Sequence, residues 1–189
     1  KRRAGWPLPP SAQASPPASR RWSPSVLESL VLLVFVTLQR GAELLWGRRN
    51  EAALRKRGAI EIGARHYPLI VFLHASWLAW LWMGGWDRAL VWPWVIVFFV
   101  LQAGRAWVLA TLGSRWTTRV LVVPGETLVK RGPFRLTPHP NYTVVALEMP
   151  VLPLAFGLWG TALVFGLLNL AMLAWRIRAE EAALAPLRA

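Results

Sequence analysis

LVWPWVIVFFVLQAGRAWVLATL, residues 90–112, carries one ionisable side chain, Arg105. About 20 apolar residues of helix cross the hydrocarbon core of a bilayer, so this run reads as a membrane span. Upstream, 26–46 and 67–86 have the same length and character. Downstream, 143–175 is also apolar but is interrupted by Pro150, Pro153, Gly157 and Gly160. It is too long for one crossing and slightly short for two. That predicts a tight helical hairpin, broken near Gly157 and Gly160, with its first arm bent at the prolines. The expected fold is an all-α integral membrane protein with about five transmembrane helices.

The composition agrees. Of 189 residues, 55% are hydrophobic and 16% charged, where a soluble domain carries roughly a quarter charged. Lys+Arg minus Asp+Glu is 22 − 9 = +13, but the basic residues stand in short clusters between apolar runs. That pattern excludes nucleic acid as a partner and leaves the lipid bilayer. The absence of Cys removes disulfides, thiolate metal sites and a Cys nucleophile. His66, His74 and His139 are too scattered to build a zinc site, so no metal is expected.

Basic residues near membrane ends set orientation. Arg48, Arg49, Arg55, Lys56, Arg57 and Arg65 lie in the connection 47–66. Arg115, Arg119, Lys130, Arg131 and Arg135 lie in 113–142, and Arg176, Arg178 and Arg188 near the C-terminus. With five crossings all three regions share one side, expected to be cytoplasmic. Residues 1–24, rich in Pro, Ser and Ala, read as a disordered tail, and 25–189 as a single domain. Trp46, Trp77, Trp86, Trp92, Trp116, Trp159 and Trp175 read as interfacial anchors near helix ends.

Ionisable groups inside a membrane are costly and mark candidate sites. Arg40 and Glu43 are three apart and share a helix face, as do Gln102 and Arg105. An interhelical polar clamp is one reading, and contact with a substrate by Arg40, Arg105 and Glu148 is the other. Glu148 and Asn169 are placed to hydrogen-bond across the hairpin, and His74 to bond a neighbouring helix.

The most informative connection is 113–142. Val120 to Val123 is β-prone, Pro124-Gly125 reads as a turn, and Thr127 to Lys130 reads as a possible return strand. Gly132-Pro133 and Pro138-His139-Pro140 then prevent a long helix. Arg176 and Glu180, four apart after the last span, predict an ordinary ion pair.

Gly132-Pro133-Phe134-Arg135 followed by His139-Pro140-Asn141-Tyr142 resembles the Gly-Pro-Tyr-Arg…Arg-His-Pro-x-Tyr signature of the isoprenylcysteine carboxyl methyltransferase family. Arg176-Ile177-x-x-Glu180-Glu181-x-x-Leu184 resembles its second signature, and one hairpin separates the two as in the family. Arg48-Arg49-Asn50-Glu51, Gly58-Ala59 and His66-Tyr67-Pro68 resemble a bacterial subgroup, which implies a bacterial inner membrane. The chain departs at Pro138, where the family has Arg, leaving Arg135 or Lys130 to substitute.

The resemblance implies S-adenosylmethionine as cofactor and transfer of its methyl group to a lipophilic small-molecule acceptor at the cytoplasmic face. His139, Pro140, Tyr142 and Arg135 would bind the cofactor. Glu180 would face its ammonium or ribose, and Glu181 would hold the last helix against the loop. Arg176 and Glu180 are the implied catalytic residues. No G-x-G-x-x-G is present, so a cofactor pocket would be built from the loop, the hairpin and the C-terminal helix. An O-methyltransferase acting on a carboxylate or acidic enol, isoprenylcysteine-like or alkylpyrone-like, is the first expectation. A phospholipid-type N-methyltransferase, a small transport or assembly protein, and a sterol-reductase-like enzyme using NADPH are the alternatives.

Overall fold

The computed structural model describes residues 23–188, without the side chains of His66 and of 183–188. Its helices are α1 (Pro24–Lys56), α2 (Tyr67–Gly85), α3 (Trp92–Leu112), α4 (Pro140–Ala155) and α5 (Trp159–Arg188). Two short strands, β1 (Ile60–Ile62) and β2 (Val120–Val122), pair antiparallel with Glu61 opposite Leu121. The tail expected over 1–24 falls almost wholly outside the described residues; α1 already begins at Pro24, capped by the Ser23 hydroxyl.

Four helices, all but α4, are long and apolar enough to cross a membrane. Their outward faces carry Leu38, Phe72 and Val100, each about two-thirds or more exposed. An apolar belt of that kind is stable only against lipid, so the chain is an integral membrane protein. At 16 residues, α4 reaches only about 24 Å, which is why it falls short by itself.

The hairpin is confirmed, and its turn is local chemistry. Gly157 sits at φ +68, Leu158 N–H donates to Pro153 O at 2.9 Å, and Gly157 N–H donates to Leu154 O at 2.9 Å. These two bonds close α4 as a Schellman cap, which requires a left-handed residue and so favours glycine. Pro153 has no N–H to offer the carbonyl of Met149 four residues earlier. The Trp77 indole donates to that carbonyl instead, at 3.1 Å, from the middle of α2. Trp77 is therefore a core residue, 1% exposed, and not an interfacial anchor. Around it pack Leu33 and Val36 of α1, Leu81 of α2, Phe98 of α3 and Leu152 of α4.

Contacts sort the helix ends. Ser29 donates to Arg88 O, Val91 N–H to Ala155 O at 2.8 Å, and Gly85 lies against Phe156. At the other end Asn50 donates to Gly113 O at 3.1 Å and to Trp116 O at 2.8 Å, and Tyr67 meets Thr118. Residues 57–66, 113–139 and the end of α5 thus gather on one side of the bundle.

Several expectations need correction. The connection expected over 47–66 begins only at Arg57, because α1 runs nearly three turns further and stops at a second Schellman cap on Gly58. Val120–Val122 pairs with Ile60–Ile62, so Thr127 to Lys130 is not a return strand. Trp116 is buried against Trp46, ring centres 5.5 Å apart, and is not an anchor either. His74 bonds Ile70 O of its own helix, at 2.9 Å.

Candidate active site

Gly132 opens the short turn Gly132–Arg135 that begins the first signature. Its φ is +58, and a Cβ there would lie 2.6 Å from the Thr111 hydroxyl oxygen of α3. Both facts demand glycine. They press the turn onto the end of α3, and Pro140 at the first position of α4 restarts the helix. His139 is the residue just before that helix, so its ring is set by two prolines and the α4 axis.

Tyr142 and His139 stack, ring centres 5.4 Å apart and planes 17° from parallel. The Tyr142 hydroxyl donates to Glu180 Oε2 at 2.5 Å and accepts from Arg176 Nε at 2.9 Å. Glu180 and Arg176 are joined through this phenol, not by the direct ion pair expected of their spacing. Arg176 also donates to Thr118 O at 2.9 Å, tying α5 to the strand segment. His139 Nε2 lies 3.4 Å from Glu181 Oε1. Burial pushes the Tyr142 phenol well above its usual range, and the Glu180 charge adds to that against the opposing Arg176. Both effects favour the neutral phenol that donates to Glu180.

Next to this cluster lies a cavity of about 520 Å³, walled by residues 115–117, 119–123 and 126–130, Phe134, the Pro138-to-Tyr142 turn, Arg176 and Glu180, with Leu54 of α1 and Leu112 of α3. That size suits a nucleoside-sized ligand. His139, Pro140, Tyr142 and Glu180 all line it, whereas Glu181 touches only the back of His139. Arg135 is exposed and is not part of the wall; Lys130 is. Of the two side chains offered to replace the family Arg at position 138, only Lys130 reaches the cavity. Two wall residues each carry a buried polar atom without a hydrogen-bond partner, Trp116 Nε1 and Asn141 Oδ1, and both atoms are turned away from the cavity space. The sequence reading overlooked Trp116, Arg119 and Leu54 as wall residues, because nothing local distinguishes them.

A strap of ion pairs holds the roof. Arg119 donates to Glu61 at 2.5 Å, meets Glu51 at 3.3 Å and lies 3.9 Å over the Tyr67 ring. Arg55 also donates to Glu61, and Arg57 and Arg115 share Glu126. Burial pushes the Glu61 carboxyl up, but the hydrogen bonds from Arg119 and Arg55 outweigh it and hold it below the usual carboxylate range. A carboxyl lowered on folding contributes stability above its unfolded pKa and loses it as pH falls through the folded value. The strap is thus complete at neutral pH and should loosen below about pH 4. Hydrogen exchange of 120–122, corrected for intrinsic rates, should lose protection on acidification from pH 6 to 3. Glu61→Gln should be less protected at pH 6 and nearly flat across that range. A flat wild-type profile would count against the strap.

Arg40, Arg105 and Glu148 lie elsewhere. Arg105 grips Glu43 with two bonds, 2.6 and 2.7 Å, and reaches Glu148 at 3.0 Å. Arg40 bonds Glu43 at 3.0 Å and also Glu148, while Gln102 donates to Glu148 at 2.9 Å. Two cations and two anions cancel within the bundle, and none of these residues lines the cavity. Glu148 does not bond Asn169, which instead donates to Val145 O at 3.2 Å. Among the described residues no group of three or more His, Asp or Glu is placed to hold a metal ion.

Comparison with known proteins adds the lineage. A protein of Bacillus subtilis (strain 168) described as uncharacterized protein YpbQ is 39% identical over 159 residues, 82% of this chain and 95% of that one. No solved structure matches. Residues 94–186 match the isoprenylcysteine carboxyl methyltransferase family. The matched stretch contains α3, the whole His139 turn, the hairpin and the α5 motif, which are the elements that enclose most of the cavity. The chain belongs to the isoprenylcysteine carboxyl methyltransferase family and is, in general terms, a membrane methyltransferase.

Proposed function

We propose that this protein is an S-adenosylmethionine-dependent O-methyltransferase, acting on a lipophilic carboxylate or acidic enol at the cytoplasmic face of a bacterial inner membrane. The observation that carries the reading is the cavity beside His139, Tyr142, Arg176 and Glu180, inside a family of membrane methyltransferases. The donor set fits the cofactor. Glu180 offers an anion to an ammonium, and Arg176 and Lys130 offer cations to a carboxylate.

When bound, the sulfonium would supply an electrophilic methyl group. The protein's own part is positioning and exclusion of water. Tyr142 fixes Glu180 and Arg176 relative to each other, and Glu181 backs His139. Arg176 lies in the walls of both the large cavity and a small cleft that includes Tyr67 and Ile70 of α2. From there it can orient an anionic acceptor whose hydrocarbon tail stays in the lipid. An acceptor already anionic at neutral pH needs no strong general base.

Calorimetry of S-adenosylhomocysteine with the detergent-purified protein tests the reading. Wild type should bind, and His139→Ala should bind at least about tenfold more weakly, the loss expected for a removed polar contact. No binding by a well-folded wild type would refute the assignment.

A further inference from the structure

On the side of the bundle that holds the cavity, the basic side chains fall into two groups. Arg55, Arg57, Arg115 and Arg119 are spent on Glu51, Glu61 and Glu126. Lys130, Arg131 and Arg135 are exposed, and no carboxylate among the described residues pairs with them. Leu136, directly after Arg135, is 78% exposed, more than any other large apolar side chain described.

The turn that carries these residues lies at the edge of the membrane span. A Cβ on Gly132 would lie 2.6 Å from the Thr111 hydroxyl and 3.4 Å from Trp107 Nε1. Trp107 is half exposed and stands seven residues after Val100, on the same outward stripe of α3. It is five residues before the end of that helix at Leu112, about 7 Å along the axis. The headgroup layer on each side of a bilayer is about 5–8 Å deep, and Trp is enriched there. The turn thus sits at headgroup depth, beside lipid.

We propose that the segment 130–136 is a binding site for an anionic phospholipid, with Arg131 and Arg135 holding the headgroup phosphate and Leu136 entering the acyl boundary. Guanidinium groups match phosphate oxygens in charge and geometry. A free anion would satisfy the arginines and give Leu136 nothing, whereas a lipid uses all three. A zwitterionic headgroup brings its own cation against the arginines, so an anionic lipid is preferred.

The same segment has an inner face. Lys130 and Phe134 line the cavity, with Leu128 and Val129 just before them, whereas Arg131, Arg135 and Leu136 do not. Phe134 N–H donates to Arg131 O at 3.3 Å and Leu136 N–H to Pro133 O at 3.0 Å, so both faces belong to one closed turn. Lipid held outside therefore steadies the wall inside, and 128–130, which belongs to no strand, gains most. None of this depends on the methyltransferase reading.

The test is native mass spectrometry of the detergent-purified full chain titrated with phosphatidylglycerol or phosphatidylcholine. Wild type should bind the first roughly tenfold or more tightly than the second. Arg131→Gln with Arg135→Gln should bring the two lipids within about threefold of each other. Arg48→Gln with Arg49→Gln removes the same charge from exposed positions of α1 and should keep the preference. Leu136→Ser should weaken phosphatidylglycerol binding about threefold or more, a change that a site for a free anion would not feel. Separately, amide exchange of 128–136 in wild type should be slower in nanodiscs containing phosphatidylglycerol than in phosphatidylcholine alone. No lipid preference in wild type, or a preference lost equally in both double variants, overturns the site. Undiminished binding by Leu136→Ser overturns the lipid as its occupant, and exchange that ignores lipid composition overturns the link to the cavity.

Discussion

Glu148→Leu is expected to cost about 3–5 kcal/mol of stability, because it leaves a buried guanidinium without its counter-charge. Glu148 is 2% exposed and Arg105 6%. With Glu148 present, Arg40 and Arg105 face two carboxylates; without it, two cations share Glu43 inside a bundle surrounded by lipid. The loss should appear as a markedly lower melting midpoint and a poor yield of monodisperse protein in detergent. A companion change separates charge from packing. Arg105→Met combined with Glu148→Leu restores neutrality, so the double variant should be more stable than the sum of the single losses predicts. Strict additivity, or a Glu148→Leu midpoint equal to wild type, would show that the cluster is not a clamp. A clamp also accounts for why these residues bind one another and stand away from the cavity.

Tyr142→Phe should weaken S-adenosylhomocysteine binding by roughly 10- to 100-fold, the range for losing hydrogen bonds to charged partners. The phenol is the bridge between Arg176 and Glu180, and Phe keeps the ring that stacks on His139. The ligand-free melting midpoint should therefore move far less than the affinity does. Glu180→Gln should weaken binding comparably, since it keeps the shape and removes the charge offered to an ammonium. If Tyr142→Phe binds as wild type does, the Tyr142, Arg176 and Glu180 bridge is only a structural tie between α4 and α5.

The membrane-length helices and the family were written in local signals. Apolar runs of 20 residues cannot be mistaken for a soluble core, and the Gly157 break is visible because only a left-handed cap can close so tight a hairpin. The signature residues were legible through the family resemblance, and the structure adds a local reason for two of them, Gly132 in its turn and Pro140 at the start of α4. The extension of α1 was readable in principle at Gly58, but the polar run from Arg48 to Lys56 looks like loop to a membrane-span criterion.

Partners across the fold were not legible. That Trp77 fills the hydrogen-bond gap left by Pro153, that Ile60–Ile62 pairs with Val120–Val122, and that Arg176 reaches Glu180 through Tyr142 all depend on residues 34 or more positions apart. Sequence spacing reports only neighbours three or four residues away on one helix, and for that reason it gave Arg176 and Glu180 a direct ion pair where Tyr142 joins them. Sequence alone determined which segments are long and apolar enough to cross a membrane and which family the chain belongs to. Only the tertiary structure decided which charges cancel inside the bundle and which face the cavity, because a buried charge or hydrogen-bonding group is satisfied by whatever the packing brings within 3 Å, however distant in the chain.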